Sequence, residues 1–381
     1  MTTETQAARG LENVVVASTK LSAIDGTAGR LSYAGYDIHY LAEQAAYEEV
    51  LFLLWYGELP NTRELHDFNA RLQAERALSE AELAFVRGIP AGGHGMDALR
   101  TLISGLAQLD PHADDRSSEQ VERIGMRVAA KMPALIAAWD RARRGLAPIL
   151  PEANLGHAAN FLYMLHGQVP SPAAARAFDT YLVLLAEHGL NASTFAARVA
   201  IGAGADVYCA ITAAISTLKG LLHGGANQKA METFLQIGVP ENAGDYIEAM
   251  LARHERLMGV GHRIYKVEDP RVRHLRRQVQ ALADDSSGQW QAIAEQVGRV
   301  VAEHPHFVRR QLNPNVEFYS APLLYMLGLP LDLFTAAFAV SRMAGWMAHI
   351  REQLSDNRLI RPKADYDGPA TRAFVGLKQR G

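Results

Sequence analysis

The feature that most constrains the fold of this chain is the apolar stretch 331–354. Its apolar residues recur with helical periodicity, and the central part, TAAFAVSRMAGWMAHI, contains few polar side chains. A helix that is apolar on nearly every side is normally buried in the core of a large protein. Arg342 interrupts this stretch, and a buried guanidinium is very costly without a partner. The sequence therefore predicts a buried helix with an internal acid or an anionic ligand at Arg342.

Helical signals dominate the rest of the chain. Residues 41–56 combine good helix formers with an apolar face, 203–222 is rich in small residues, and 246–258 is amphipathic. Strand signals are confined to 14–16 and 31–33, on either side of the turn-like segment AIDGTAG. We expect an all-α, mainly helical fold with at most a small N-terminal β-hairpin.

Two glycine-rich breaks, at 223–227 and 259–262, indicate how the chain is divided. Between about 224 and 327 the sequence is more polar and holds most of the candidate reactive groups. We expect a large helical domain made of residues 1–223 and 328–381, with a smaller mobile domain, 224–327, inserted in it. A mobile insertion of this kind can close over a substrate and exclude water.

Composition and charge exclude several classes of protein. Of the 381 residues, 49% are hydrophobic and 21% are charged, which is typical of a soluble globular protein. The formal net charge of −3 argues against a nucleic-acid binder, which needs a basic surface. No apolar stretch reaches the roughly 18–20 residues of a membrane span, and the N-terminal residues do not resemble a signal peptide. We therefore expect a cytoplasmic protein that does not act at a membrane.

Cysteine, histidine and glycine patterns argue against a metal or nucleotide site. Cys209 is the only cysteine, which excludes an internal disulfide, and its small apolar neighbours predict a buried, inert thiol. His304 and His306 flank a proline at a spacing that suits neither a helix face nor a zinc finger, and no HExxH motif is present. The chain also lacks a Walker loop and a dinucleotide-binding loop, so ATP and NAD chemistry have no support.

The segment 259–271, GVGHRIYKVEDPR, combines a histidine with several cations. Glycines on either side of Val260 allow the backbone to turn tightly and approach a ligand closely. His262 can exchange protons near neutral pH, and Arg263, Lys266 and Arg271 can bind carboxylates or phosphates. This pattern favours an acidic or phosphorylated substrate that also needs a proton moved, although a basic surface loop is the simpler alternative.

Four residues outside this segment are also candidates for a reactive site. His223 follows an apolar helix and precedes two glycines, so its ring either faces a cleft or merely interacts with the helix dipole. Glu317 lies among apolar neighbours, which would raise its pKa towards that of a useful base if it faces inward rather than solvent. His188 also follows an apolar helix, whereas Arg361 lies where an exposed arginine would be ordinary.

Four motifs together give the chain a family resemblance. In the order LKGLLHGGAN, GVGHRIYKVEDPR, NPNVEFYS and FAVSRMAGWMAHIREQLSDNRLIRPKADY, they resemble the citrate synthase family. The earlier segments ENVVVASTKLSAIDGTAGRLSYAGYDI, HGMDALR, LGHAANFLYML and EHGLNASTFAARV are similar to it too, so the resemblance covers nearly the whole chain. The family includes citrate synthases and 2-methylcitrate synthases, which these motifs do not separate.

The resemblance implies a fold and an activity. It implies a mostly helical homodimer in which each subunit has a large domain and a small mobile one. The implied enzyme is an acyltransferase that condenses acetyl-CoA with oxaloacetate and then hydrolyses the thioester to citrate and CoA. CoA enters as a co-substrate, and no metal or prosthetic group is required.

The resemblance also implies roles for individual residues. Glu317 takes the position of the base that removes a methyl proton from acetyl-CoA, His223 that of the donor to the enolate oxygen, and His262 that of the donor to the ketone of oxaloacetate. The other implied positions bind the substrates: His188, Arg271, Arg342 and Arg361 (from the partner subunit) for the oxaloacetate carboxylates, Lys266 near the CoA phosphates, and Val260 and Gly261 against the adenine. Arg263 has no implied role.

One residue departs from the family pattern, and two alternatives to citrate synthase stay open. Most members carry aspartate where this chain has Glu317, so its carboxylate is displaced by about one carbon–carbon bond unless the local backbone compensates, as we expect. A 2-methylcitrate synthase that uses propionyl-CoA has the same motifs. A catalytically inactive helical binding or assembly protein is the other alternative. The short N-terminal part indicates a dimer without the NADH site of the long bacterial forms.

Overall fold

The protein is mainly helical in the computed structural model, which describes residues 8–11, 14–284 and 288–380. Within these ranges the α-helices are α1 Ile38–Gln44, α2 Tyr47–Tyr56, α3 Thr62–Arg76, α4 Glu80–Gly88, α5 Gly95–Leu106, α6 Ser118–Arg143, α7 His157–His166, α8 Pro172–Leu185, α9 Ala192–Gly202, α10 Val207–Leu218, α11 Ala226–Ile237, α12 Ala243–Ala252, α13 Val272–Asp284, α14 Gln289–Glu303, α15 Pro305–Val308, α16 Val316–Met326 and α17 Phe334–Ser355. The strands are β1 Ser22–Asp25, β2 Arg30–Tyr33 and β3 Tyr36–Asp37. Short 3-10 turns occupy Arg9–Leu11, Ala107–Leu109, Pro240–Asn242, Leu331–Leu333 and Leu377–Gln379.

The N-terminal sheet is a three-stranded antiparallel meander, ordered β1-β2-β3. Ser22 pairs with Tyr33 and Asp25 with Arg30, so the four residues between the strands form the turn. The prediction of a strand at 31–33 is confirmed, but the one at 14–16 is wrong because these residues are exposed and not in a strand. The turn sets the register, and therefore only the residues directly before it can pair with β2.

Tertiary contacts divide the predicted helix 41–56 into α1 and α2. Ala45 and Ala46 adopt extended conformations between the two helices. The N–H of Ala46 donates to the Glu49 carboxylate at 2.7 Å, and that of Tyr47 donates to Asp179 at 3.0 Å. These carboxylates satisfy N–H groups that begin a helix and would otherwise lack acceptors. The helical prediction was correct, but the break depends on a residue far along the chain.

Two other predicted helices are shorter than their sequence patterns. Helix α10 begins at Val207 because Asp206 caps it, accepting the N–H of Cys209 at 2.8 Å. Helix α12 ends at Ala252, so most of the remaining residues of the predicted helix 246–258 lie in the loop that follows.

The prediction that Cys209 is buried is wrong. Its side chain is exposed on α10. The buried face of this helix contains Val207, Ala210, Ile211 and Ala214, which follow helical spacing, and Cys209 lies outside that face.

Helix α17 forms the centre of the molecule, as its sequence predicts. Every residue from Phe334 to Ile350 is buried. The helix packs against a surrounding shell of helices formed by α2, α5, α6, α8, α9, α10 and α11. Because this shell covers all sides of α17, Arg342 lies deep in the protein.

Helices α11 to α16 pack mainly around α14 and α16, and α11, α13 and α16 connect this group to the rest of the fold. Helix α13 packs against α8, and α11 packs against α17. The loops between these two sets of helices form the cleft described below. None of the described helices is long and apolar enough to cross a bilayer.

Candidate active site

The turn that follows α8 carries His188 and is held directly by α17. Arg342 donates from Nε to the carbonyl oxygen of Leu185 at 2.7 Å, and the N–H of Gly345 donates to Ala186 at 3.1 Å. A Cβ at Gly345 would lie 2.3 Å from Oε2 of Glu187 and 2.5 Å from the Ala186 carbonyl oxygen. Only glycine permits this close approach, so α17 fixes the position of the His188 turn.

His223 lies in the turn between α10 and α11 and faces the first turn of α9. Its Nε2 accepts the backbone N–H of Ser193 at 3.3 Å and lies 2.8 Å from the Ser193 hydroxyl oxygen. A backbone N–H can only donate, so we infer that Nε2 is unprotonated and that Nδ1 carries the hydrogen. Burial, and then the charge of Arg342, lower the pKa of His223 to about 4. The ring is therefore a neutral donor at physiological pH.

His262 is also a neutral donor, but through its other nitrogen. Its Nδ1 accepts the backbone N–H groups of Ile264 at 3.0 Å and Tyr265 at 3.1 Å, which leaves the hydrogen on Nε2. Burial, and then the charge of Arg271, lower its pKa to about 4. The ring centroid lies 5.6 Å from that of His188, and the hydroxyl of Tyr265 lies 3.1 Å from Nε2 of His188. Burial, and then the charges of Arg271 and Arg342, also lower the pKa of His188 well below its ordinary value.

The glycines of the segment 259–271 join it to the loop before α16. Gly259 and Gly261 have φ angles of 84° and 88°, and a Cβ on Gly259 would lie 3.0 Å from the backbone of Phe318. The N–H of Gly261 donates to Asn313 at 2.7 Å, and that of Asn315 donates to Gly259 at 2.9 Å. These bonds hold the loop that carries His262 against the residues that precede Glu317.

Glu317 lies in the first turn of α16, where Asn315 caps the helix by accepting its N–H at 3.0 Å. The residue is half-buried rather than facing solvent. Burial raises its pKa above the ordinary value, although Arg271 and Arg342 act in the opposite direction. This carboxylate is therefore a stronger base than an exposed one.

Arg271 and Arg342 bring two buried positive charges to the same cleft. Arg271 forms a two-pronged pair with Asp269, with Nε–Oδ1 and Nη2–Oδ2 distances of 2.9 and 2.7 Å. Arg342 lies over the ring of Phe338, 4.9 Å from its centroid, and forms no ion pair with a described carboxylate. No described internal acid is bonded to Arg342, so its terminal N–H groups are available to an anionic ligand.

Arg361 and Lys266 differ from this group in being exposed. Arg361 is exposed in the C-terminal segment 357–380, and its closest polar contact is a 3.4 Å bond from Nη1 to the Pro362 carbonyl oxygen. Lys266 is exposed, and its backbone N–H donates to Gly26 at 2.9 Å.

A cavity of about 610 Å³ opens beside His262, and Val260 and Gly261 line it. It is also bordered by three arginines that the sequence analysis did not place at the site, or left without a role: Arg256, Arg263 and Arg310. Lys266 is not among the residues that line this cavity.

Sequence reasoning also missed residues that position the reactive groups. Asp269 pairs with Arg271, Ser193 fixes the hydrogen on His223, and Glu187 accepts the N–H of Gly189 on the other side of His188. Asp269 and Glu187 could have been found, because each lies within two residues of a candidate cation or histidine. Ser193 gave no such signal, since it lies thirty residues from His223 along the chain.

Together these groups can remove a proton next to a carbonyl group in the presence of an anion. The cleft combines a carboxylate of raised pKa, two neutral imidazole donors and two buried guanidiniums. Within the described residues, no group of three histidine, cysteine, aspartate or glutamate side chains is arranged to hold a metal ion.

Comparisons with known proteins agree with this arrangement. The model of the family "Citrate synthase, C-terminal domain" matches residues 10–363. Citrate synthase 2 of Bacillus subtilis is 45% identical over 98% of this chain and 99% of its own length. A 2-methylcitrate synthase of Mycobacterium tuberculosis is 41% identical over 97% of this chain and 92% of its own length.

Solved structures give the same result. The crystal structure of citrate synthase from Pyrobaculum aerophilum is 41% identical, with a TM-score of 0.90 over 98% of this chain and 95% of that one. The citrate synthase of Thermoplasma acidophilum, solved as a ternary complex with carboxymethyl coenzyme A and oxaloacetate, is 30% identical, with a TM-score of 0.92 over 98% of this chain and all of that one. The chain therefore belongs to the citrate synthase family.

Proposed function

We propose that this protein is a citrate synthase, which condenses acetyl-CoA with oxaloacetate and hydrolyses the resulting thioester. The observation that carries the proposal is the meeting of Glu317, His223, His262, Arg271 and Arg342 in one cleft. The basic carboxylate and the two neutral donors match the proton removal and charge development of this reaction.

The proposed reaction uses each group once in the carbon–carbon bond-forming step. Glu317 removes a proton from the methyl group of acetyl-CoA, and Nδ1–H of His223 donates to the enolate oxygen that forms. The enolate carbon attacks the ketone of oxaloacetate, whose oxygen receives a hydrogen bond and then a proton from Nε2–H of His262. Water then adds to the thioester carbon, and CoA leaves as the thiol with a proton from that water. The proton held by Glu317 is released to solvent and His262 regains one from solvent, so both groups return to their starting states. His188, Arg271 and Arg342 bind the oxaloacetate carboxylates.

The cavity beside His262 supports a binding site for the nucleotide part of CoA. Val260 and Gly261 offer backbone and little side-chain bulk to the adenine, and Arg256, Arg263 and Arg310 offer charge to the phosphates. In this proposal Arg263 gains a role. Lys266 stays a prediction as a phosphate contact, since its side chain is exposed outside the cavity lining.

We further propose that residues 224–327 move as a small domain against the rest of the chain. The packing of α11 to α16 around α14 and α16 supports this division. His262, Arg271 and Glu317 belong to the small domain, whereas His188 and Arg342 belong to the large one, with His223 at the boundary. Closure would therefore bring the two sets of groups onto the substrates and exclude water.

A direct assay tests the function. Purified protein should release free CoA thiol only when acetyl-CoA and oxaloacetate are both present, and citrate should form in equal amount. Thiol is followed with a thiol-reactive dye, and citrate is measured by mass spectrometry. Absence of both products would favour the inactive binding homologue, and thiol release without oxaloacetate would indicate a simple thioesterase.

The preference between acetyl-CoA and propionyl-CoA forms a separate prediction, because relatives of both names match at similar identity. We expect kcat/KM for acetyl-CoA to exceed that for propionyl-CoA by about 10- to 200-fold, the range that one methylene is worth in a closed pocket. Steady-state kinetics with both thioesters at saturating oxaloacetate measures the ratio. A ratio in favour of propionyl-CoA would identify a 2-methylcitrate synthase.

We propose that the active unit is a homodimer in which Arg361 enters the partner's site. The segment 357–380 that carries Arg361 exposes several large apolar side chains, among them Tyr366, Phe374 and Leu377, with exposures of 78%, 87% and 80%. Apolar groups exposed together often mark a protein interface. A contact with a second copy would cover them and move Arg361 from solvent to a substrate carboxylate.

Hybrid dimers test the crossing of Arg361. Arg361→Ala and Glu317→Gln homodimers should each be nearly inactive. A hybrid dimer with one subunit of each kind, isolated through two different affinity tags, should recover about half the parent activity because one of its two symmetric sites is intact. If Arg361 acted within its own subunit, both sites of the hybrid would be defective and no activity would return.

A further inference from the structure

The side chain of Glu187 lies fully buried beside the predicted oxaloacetate site, and it holds both sides of His188. Its Oε1 accepts the Ser22 hydroxyl of β1 at 3.0 Å, the N–H of Gly189 at 2.5 Å and Nε2–H of His349 at 3.1 Å. Three donors from three separate parts of the chain thus converge on one oxygen. Because Glu187 and Gly189 flank His188 along the backbone, these bonds fix the histidine between them.

A chain of polar groups that runs from the protein interior to the surface supports Glu187 through His349. Nδ1 of His349 accepts from Arg198 at 3.1 Å, which places the imidazole hydrogen on Nε2, towards Glu187. Arg198 also pairs with Glu352 at 2.6 Å. Glu352 in turn accepts the N–H of Lys20 at 2.8 Å. The orientation of His349 is therefore set by charged groups, as in hydrogen-bond networks that hold a reactive centre in place.

The second oxygen of Glu187, Oε2, lies against Gly345 of α17. Oε2 is buried and has no hydrogen-bond partner. Although burial alone raises the pKa of a carboxyl, His349, Arg342 and Ser22 lower the pKa of Glu187 below its ordinary value. The charge of Glu187 in turn favours the charged form of Arg342. Because the two side chains form no ion pair, the terminal N–H groups of Arg342 are not taken up by Glu187.

We propose that Glu187 is a positioning residue for the oxaloacetate site, an inference that rests on the proposed function. It holds the His188 turn through Gly189 and Ser22, and it supplies a counter-charge that keeps Arg342 ionised. Both substrate-binding groups are then in place before oxaloacetate arrives, which reduces the ordering cost of binding. Loss of a residue that only stabilised the fold would lower the amount of folded enzyme and therefore the maximal rate. It would not raise KM for one substrate alone.

The variant Glu187→Gln tests this proposal because it keeps the size of the side chain and removes its charge. Its single amide oxygen cannot replace a carboxylate, and its NH₂ group would face donors. We expect KM for oxaloacetate to rise by about 10-fold or more, with KM for acetyl-CoA at saturating oxaloacetate changed less than about 2-fold. Glu187→Asp keeps the charge and can still accept the N–H of Gly189, so it should restore most of the oxaloacetate affinity.

A second variant keeps the proposal testable if Glu187→Gln fails to fold. Ser22→Ala removes one donor to Glu187 and should raise KM for oxaloacetate by a few-fold. Ser216→Ala is the matched control, because the Ser216 hydroxyl bonds only within α10, to the carbonyl oxygen of Thr212 at 2.7 Å. An unchanged or lower KM for oxaloacetate in Glu187→Gln would overturn the proposal. If Glu187→Gln does not fold, the same result in Ser22→Ala would overturn it. In that case a parent enzyme that still makes citrate would leave the proposed function intact.

Discussion

A Glu317→Gln enzyme should lose about 1,000-fold or more in kcat, because a positioned general base contributes about 10²- to 10⁴-fold and glutamine cannot accept the proton. The amide keeps the size of the side chain, so α16 and its cap at Asn315 should be retained. KM for oxaloacetate should change little, since Arg271 and Arg342 still bind its carboxylates. Thiol release at saturating substrates measures kcat, and thermal unfolding checks that the variant is folded. A variant that condensed its substrates at the parent rate would exclude Glu317 as the base.

The pH dependence of the parent enzyme provides an independent measure of the same group. Glu317 acts as a base only when ionised, so kcat should fall as the pH drops through its pKa. Burial raises that pKa above the ordinary value, whereas His223 and His262, with pKa values of about 4, stay neutral until lower pH. We therefore expect the plot of kcat against pH to fall on its acid side through a single ionisation. The residual rate of Glu317→Gln should not show this fall.

The variant Glu317→Asp tests whether the backbone compensates for the extra methylene. If the loop that Gly259 and Gly261 attach to α16 is adjusted to glutamate, the shorter aspartate will be misplaced. A shift of about 1 Å costs on the order of 100-fold in rate, so the expected order of kcat is parent, then aspartate, then glutamine. A faster aspartate enzyme would mean that glutamate is imperfectly placed in this chain.

Features that depend on one continuous segment could be predicted from the sequence. The burial of α17 follows from its apolar residues, and the strand at 31–33 follows from the turn beside it. The candidate site residues were recognisable because their motifs are short and distinctive. Their shared cleft could be expected only from the family resemblance, since five separate loops and helices contribute to it.

Features that depend on distant partners could not be predicted in this way. Asp179 separates α1 from α2 by accepting the N–H of Tyr47, although the two residues are 132 positions apart. Ser193 decides which nitrogen of His223 carries the hydrogen. The orientation of Cys209 likewise follows from which face of α10 meets its neighbours, and the small residues on every side of that helix left the face ambiguous.

His223 and His262, which we propose as the two catalytic donors, are kept neutral for the same electrostatic reason. Each ring accepts backbone N–H groups on one nitrogen, and each lies near a buried arginine that disfavours a second proton. A neutral imidazole that donates a hydrogen bond stabilises a developing oxyanion without transferring its proton prematurely. This preorganisation needs no movement of charge when the enolate forms.

Removal of the His223 ring should therefore produce the second large loss of activity. We expect His223→Ala to lower kcat by about 10²- to 10³-fold, the usual cost of losing one donor to a developing oxyanion. KM for oxaloacetate should stay close to that of the parent, because this donor acts on the thioester oxygen. His223→Gln, which keeps an N–H donor, should retain more activity than alanine. Steady-state thiol release at saturating substrates measures all three enzymes.

A histidine outside the cleft provides the control for this series. His66 is exposed on α3, which contributes none of the groups that surround His223, so His66→Ala should leave kcat within about twofold of the parent. Equal activity of His223→Ala and His66→Ala would contradict the role of His223. A kcat that fell equally in the glutamine and alanine variants would show that the ring acts through its position in the turn, since the N–H donor would then make no difference.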